Sequence, residues 1–167
     1  VVGYWKQVGI PEERIFYLPK SENWWQLATG TGPCGPDSEM FFDTGKQACS
    51  PNCNPSCDCG KYVEIGNDVY MQYVIHQKDG EAVPAKQRNV DTGMGLERLL
   101  CFVNGYQTVY ESEIFAPAIQ IVAADCQKSY AENSKAFRVL VEHTRAATMI
   151  LSDGVLPSAT GQGYVLR

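Results

Sequence analysis

The most regular alternation in the chain spans residues 62–75. Val63, Ile65, Asn67, Val69, Met71, Tyr73 and Ile75 share one parity, and Glu64, Asp68, Gln72 and His76 the other. A period of two predicts a strand with one apolar face. Asn67 is the exception on that face, an amide between Ile65 and Val69. A buried amide needs partners, so Asn67 reads either as a hydrogen-bonded core residue or as the floor of a small pocket with Val69 beside it. Gly66 leaves room for a bulge or a close backbone approach. Lys78-Asp79-Gly80-Glu81 predicts a hairpin turn, and a second strand runs into Val90. There the period changes. Leu96, Leu99, Leu100 and Val103 fall at i, i+3, i+4 and i+7, predicting a buried helix with Asp91 or Thr92 as its N-cap and Asn104-Gly105 as its stop. Gly93 and Gly95 then lie in the first turn, where each costs about 1 kcal/mol against Ala. Such glycines make sense where a ligand lies against bare backbone at the positive helix end.

Elsewhere the pattern is shorter-ranged. Residues 1–20 read as a helix end and a connection, with Pro11-Glu12-Glu13 a helix start and Ile15-Phe16-Tyr17-Leu18 a short strand stopped by Pro19. Asn23-Trp24-Trp25-Gln26 precedes residues 29–39, where two Gly-Pro steps predict a stiff loop suited to a pocket wall or a chain reversal. Met40-Phe41-Phe42-Asp43 leaves it as a strand. Residues 113–126 and 135–151 read as helices, the second with Phe137, Leu140, Val141, Ala147 and Leu151 inward and Glu142 and Arg145 on another side. His143 lies on that helix, where a lone histidine reads first as structural. Ser152-Asp153-Gly154 ends it, and residues 155–167 form a loop entering a further element. Strands followed by helices predict an α+β chain, with a sheet domain over 1–110, a cysteine-rich insertion at 45–60, and a helical segment over 111–167.

Composition narrows the class. With 44% apolar and 20% charged residues, the 167-residue chain has the makings of a globular domain. No apolar run approaches the roughly 18 residues of a membrane helix, and the first residues lack a signal layout. A formal charge of −5 speaks against wrapping nucleic acid by charge alone. Seven cysteines, bunched and odd in number, favour a reducing compartment and a metal site over a disulfide framework. Cys49, Cys53, Cys57 and Cys59, spaced C-x3-C-x3-C-x-C among turn formers, suit one tetrahedral Zn²⁺ in a structural role. The alternative is a set of reduced surface thiols.

Asn23-Trp24-Trp25, residues 31–39, Val63-Glu64-Ile65-Gly66-Asn67, residues 91–98, His143-Thr144-Arg145 and Gly163-Tyr164-Val165-Leu166-Arg167 together resemble the alanyl-tRNA synthetase family. Gly93-Met94-Gly95-Leu96-Glu97-Arg98 is similar to the third signature motif of class II synthetases, and Thr31-Gly32-Pro33-Cys34-Gly35-Pro36 makes the likeness specific. The resemblance implies ATP-dependent activation of alanine to alanyl-adenylate and transfer to tRNA(Ala), in the cytoplasm, with Mg²⁺ arriving on ATP. It implies Arg98 as the catalytic residue along the nucleotide, with Gly93 and Gly95 at the ATP. Trp25, Asn67, Val69, Asp91 and Gly93 would contact alanine, Asp91 holding its ammonium. The helical segment would begin a tRNA acceptor-stem-binding domain. The chain departs from the family pattern at Gly66 (usually Trp), Asp68 (usually aliphatic), Asp37 (often Cys) and Ala159 (usually Asn). The first two class II motifs are expected before Val1, making this a fragment that activates alanine poorly alone. The competing readings are a non-charging paralogue that binds a small amino acid or nucleotide, and a zinc-stabilised interaction module.

Overall fold

In the computed structural model, which describes residues 1–167, four antiparallel strands follow one another in space as they do in sequence. They are β1 (Trp24–Gln26), β2 (Gly32–Asp43), β3 (Tyr62–Ile75) and β4 (Val83–Met94). Helix α1 (Val2–Gln7) and a 3₁₀ turn at Glu12–Arg14 precede the sheet, and α2 (Leu96–Val103) leaves it. The chain divides into two units, Val1–Leu99 and Leu100–Arg167.

The sheet corrects several expectations. Residues 29–39 are not a loop, because all but the first three belong to strand β2. Its prolines donate no ladder bond, and the sheet accommodates them beside a register shift between Cys34 and Asp37. Gly35 permits the fit, since a Cβ there would overlap the Tyr70 carbonyl oxygen. Ile15-Phe16-Tyr17-Leu18 is extended chain without a ladder partner, although the Phe16 ring lies 5.8 Å from that of Tyr62. The Lys78–Glu81 turn forms, with Gly80 N–H donating to Gln77 O at 2.9 Å.

Strand β3 is also less uniform than its alternation. Met40 pairs with Gly66 but Phe41 with Glu64, and Asp37 pairs with Val69 but Cys34 with Tyr73. β3 therefore carries one extra residue at each place. Each extra residue reverses the parity of the positions beyond it. Glu64 accordingly shares the face of Asn67 and Val69, not the opposite one.

Strand β4 continues past Val90 to Met94, so Asp91 and Thr92 are strand residues and cap nothing. Gly95 N–H extends the ladder to Ile65 O at 2.9 Å, and Gly95 O accepts from Leu99 N–H at 2.8 Å. The strand thus turns into α2 within one residue. That helix is not buried as its stripe suggested. Leu96 and Val103 are 67% and 76% exposed, and the buried residue is Cys101. A helix of two turns leaving an exposed strand has one inward position, and Cys101 occupies it, its thiol donating to Tyr106 O.

In the second unit, α3 (Ala116–Cys126) and α4 (Tyr130–Ser152) pack Phe115, Ile119, Phe137 and Val141 into one core. α3 starts three residues later than expected because a 3₁₀ turn at Val109–Glu111 and buried Ser112 lead into it. α4 starts five residues earlier, its first turn broken at Asn133. Leu140 and Leu151, expected inward, are about half exposed. Glu142 and Arg145 instead reach the core's edge. Tyr110 OH donates to Glu142 Oε1 at 3.2 Å, and the Arg145 guanidinium lies 5.2 Å from the Phe115 ring centre. The expected terminal loop ends in α5 (Gly161–Leu166), whose Gly163 packs on Leu156 and Ser158.

Candidate functional site

The sheet register assembles one face from residues far apart in sequence. On β3, Asn67 lies between Glu39 of β2 and Gly93 of β4. One pair along, Val69 lies between Asp37 and Asp91. Partners directly opposite point to the same side of a sheet, so Asp37, Glu39, Asn67, Val69, Asp91 and Gly93 share one side. Trp25 pairs with Gly35 on β1, and alternation along β2 puts it on that side too. Trp24 turns the other way, its ring 5.6 Å from Tyr73 with Lys20 Nζ 3.9 Å above it.

Two features fit this face for a small polar guest. Val69 is buried, Asn67 half-buried, and Asp91 and Gly93 exposed, so the floor is apolar and its rim hydrated. Gly93 also leaves the Asn67 amide uncovered: a Cβ added there would stand 3.6 Å from Asn67 Oδ1. Arg98 comes from the first turn of α2 and folds back over Gly95. Its Nη1 donates to Glu64 O at 2.9 Å and to Glu64 Oε2 at 3.2 Å. A Cβ at Gly95 would lie 3.2 Å from Arg98 Cδ, so the missing side chain is what lets the arginine stem return to the sheet.

The face is strongly acidic. Burial, reinforced by Glu64, Asp37 and Glu22, pushes the Glu39 carboxyl up to about 7. Burial also raises Asp37, with the Asn23 amide drawing it back through a 3.4 Å contact. Asp37, Glu39 and Glu64 were not among the residues picked from sequence. The extra residue in β3 hid Glu64, and reading β2 as a loop hid the other two. Gly66 in mid-strand was the available signal.

A second cluster sits in the β2–β3 connection. The sulfurs of Cys49, Cys53 and Cys59 lie within 4.8 Å of one another, and Cys57, the fourth cysteine expected there, is outside that set. His143 is exposed on α4.

The family model described as tRNA synthetases class II (A) matches residues 1–167. The chain belongs to this family. Among curated relatives, the alanine–tRNA ligase of Treponema denticola is 48% identical over 98% of this chain and 28% of its own length. That of Borrelia hermsii is 45% identical over the same shares. The Clostridioides difficile enzyme is 42% identical over 97% of this chain and 19% of its own length. The chain thus spans from about a fifth to a little over a quarter of the length of these relatives.

For a class II synthetase, the observed α+β architecture of an antiparallel sheet followed by helices is the fold the sequence resemblance implied. The glycine-rich motif lies at a strand-to-helix junction, not inside a helix. Of the departures from the family pattern, Gly66 is buried between Met40 and Met94, and Asp37 stands on the face just described. No helix is long and apolar enough to cross a membrane.

Proposed function

We propose that this chain carries part of the alanine-activating centre of a cytoplasmic alanine–tRNA ligase. One observation carries the reading: Asn67, Val69, Asp91 and Gly93 are neighbours on one face, at the start of the helix that brings Arg98 back to the sheet. Each group then has work that suits its chemistry. Asp91 accepts charge-assisted hydrogen bonds from the ammonium of alanine. Val69 meets the methyl group, the Asn67 amide orients the polar end, and Trp25 forms a wall. Gly93 and Gly95 let the adenylate approach bare backbone, and the planar Arg98 guanidinium lies along the nucleotide. In the reaction, the alanine carboxylate attacks the α-phosphate of ATP and pyrophosphate leaves. The alanyl group then passes to the terminal ribose of tRNA(Ala).

Positioning and charge neutralisation supply most of such a reaction. A face holding Asp37, Glu39, Glu64 and Asp91 repels a bare triphosphate. The nucleotide therefore approaches with its own Mg²⁺, leaving Arg98 to neutralise what remains. Residues 1–110 serve as part of the catalytic domain, and 111–167 as the start of the acceptor-stem-binding segment.

The test is calorimetry of the chain with a non-hydrolysable alanyl-adenylate analogue. Binding that weakens about tenfold to a hundredfold in Asp91→Asn, the loss of one hydrogen bond to a charged group, is the expected result. Equal affinity of the two chains, or equal preference for a leucyl analogue, would remove alanine from this face. Alanine-dependent exchange of pyrophosphate into ATP by the full-length gene product tests the activity itself.

A further inference from the structure

We infer that Cys49, Cys53, Cys57 and Cys59 hold one zinc ion as four thiolates, and that this ion keeps the β2–β3 connection closed. Residues 44–61 contain no strand or helix. Apart from cysteine, their only apolar side chains are Ala48, Pro51 and Pro55. Such a segment has almost nothing to bury against the entropy of ordering it. It is nevertheless folded inward around sulfur. Cys53 and Cys59 Sγ stand 3.7 Å apart, and tetrahedral Zn–S bonds of about 2.3 Å place neighbouring sulfurs about 3.8 Å apart. A disulfide requires about 2.05 Å, and all seven cysteines are free thiols.

The local backbone aims the thiols. Cys53 N–H donates to Ser50 O at 3.1 Å and Cys57 N–H to Asn54 O at 3.0 Å, making two successive turns. Asn54 Oδ1 secures the second by accepting from Ser56 N–H at 2.9 Å and Ser56 Oγ–H at 2.7 Å. The fourth vertex is assigned to Cys57, which lies between Cys53 and Cys59 in sequence and outside the 4.8 Å set formed by the other three sulfurs. An all-sulfur set selects a soft ion over Mg²⁺ or Ca²⁺, and four protein ligands leave no position for water or substrate. Lys61 Nζ, on Asp43 at 2.9 Å and on Lys46 O at 3.1 Å, stands near enough to Cys53 for the two to interact electrostatically.

The ion's mechanical effect comes through the neck of the connection. Thr44 N–H donates to Lys61 O at 2.8 Å, and Thr44 Oγ1 to Gly60 O at 2.9 Å, directly beside the Asp43–Tyr62 pair. A metal clip that closes a loop removes conformational freedom from the unclipped chain, so zinc stabilises the end of the hairpin nearest Glu39 and Glu64.

The full chain, purified without added metal, is expected to carry one zinc per molecule. Replacement by Co²⁺ should give tetrahedral d–d bands with strong thiolate charge transfer. Cys49→Ser, Cys53→Ser, Cys57→Ser and Cys59→Ser should each weaken that charge transfer, and Cys126→Ser should leave it unchanged. A metal-free chain, an octahedral cobalt spectrum, or an unaltered spectrum in Cys57→Ser would overturn the four-thiolate assignment. Because a variant can fail by misfolding, the unsubstituted chain provides a second readout. Removing its zinc should speed amide exchange at Cys53, Cys57 and Thr44 by about tenfold or more, with the Phe115–Val141 core unaffected. Unchanged exchange there would reject the closing role. Neither measurement depends on adenylate binding.

Discussion

Glu39 shows how a single side chain records its surroundings. It sits half-buried in β2 opposite Asn67, with Glu64, Asp37 and Glu22 near enough to oppose its ionisation and Arg98 engaged on Glu64. Its carboxyl is raised to about 7 from an ordinary value of 4.5. The folded chain therefore keeps a proton that the unfolded chain releases. The stabilisation is fully present below about pH 4.5 and lost as pH rises through 7. Asp37, also raised, adds a component of the same sign. Glu39→Gln should flatten most of this fall, raising stability at pH 8 by about 1 kcal/mol once partial exposure is allowed for. Urea midpoints at pH 5 and pH 8 for both chains check it. A variant whose midpoint drops with pH as steeply as the parent's would show that Glu39 is not the proton holder.

At the scale of elements, the junction between β4 and α2 joins structure to site. Gly95 gives its N–H to the sheet and its C=O to the helix, so it caps α2 while holding its own surface clear for Arg98. An alanine there is a poorer cap by less than about 1 kcal/mol, but its Cβ would press on Arg98 Cδ at 3.2 Å. Gly95→Ala should thus leave the urea midpoint nearly unchanged and weaken the alanyl-adenylate analogue about tenfold. Loss of stability without loss of affinity would give Gly95 a purely structural part. This junction also marks the limit of what the pattern of residues discloses. The long strand and a helix through Leu96–Val103 were legible because each holds one period for several residues, but the helix start was not, since Asp91 and Thr92 belong to the strand. Alternation put Asn67 and Val69 on one face, but that Asp91 joins them was not legible from it, since that depends on cross-strand register. Glu64 was misassigned because one extra residue reverses parity without altering composition. Gly-Pro steps in β2 read as a loop because tolerance of proline depends on a neighbouring strand's irregularity. The stripe of α2 was legible as apolar, but periodicity marks a face that can be covered, not one that is.

Across the molecule, charge bears on what the helical unit can do with RNA. Leu100–Arg167 contains five Lys or Arg and six Asp or Glu, close to neutral, while the remaining excess of acid lies in the sheet unit. Two of the five cations are held against aromatic rings: Arg138 donates to Tyr130 OH at 2.9 Å with Tyr110 4.9 Å from its guanidinium, and Arg145 lies over Phe115. Lys128, Lys135 and Arg167 are exposed and reach solvent without such a ring. Each phosphate neutralised contributes about 0.7 to 0.9 to the slope of log K against log salt. A surface offering about three cations should bind tRNA weakly, with a slope no steeper than about −3. Fluorescence titration of the chain with tRNA between low and physiological salt measures it. Lys135→Ala should make the slope shallower by just under one, whereas Arg138→Ala should act through stability by unstacking Tyr110 and Tyr130. A slope beyond about −5 would mean that cations on the sheet unit join the contact, and the assignment of RNA binding to residues 111–167 alone would then fall.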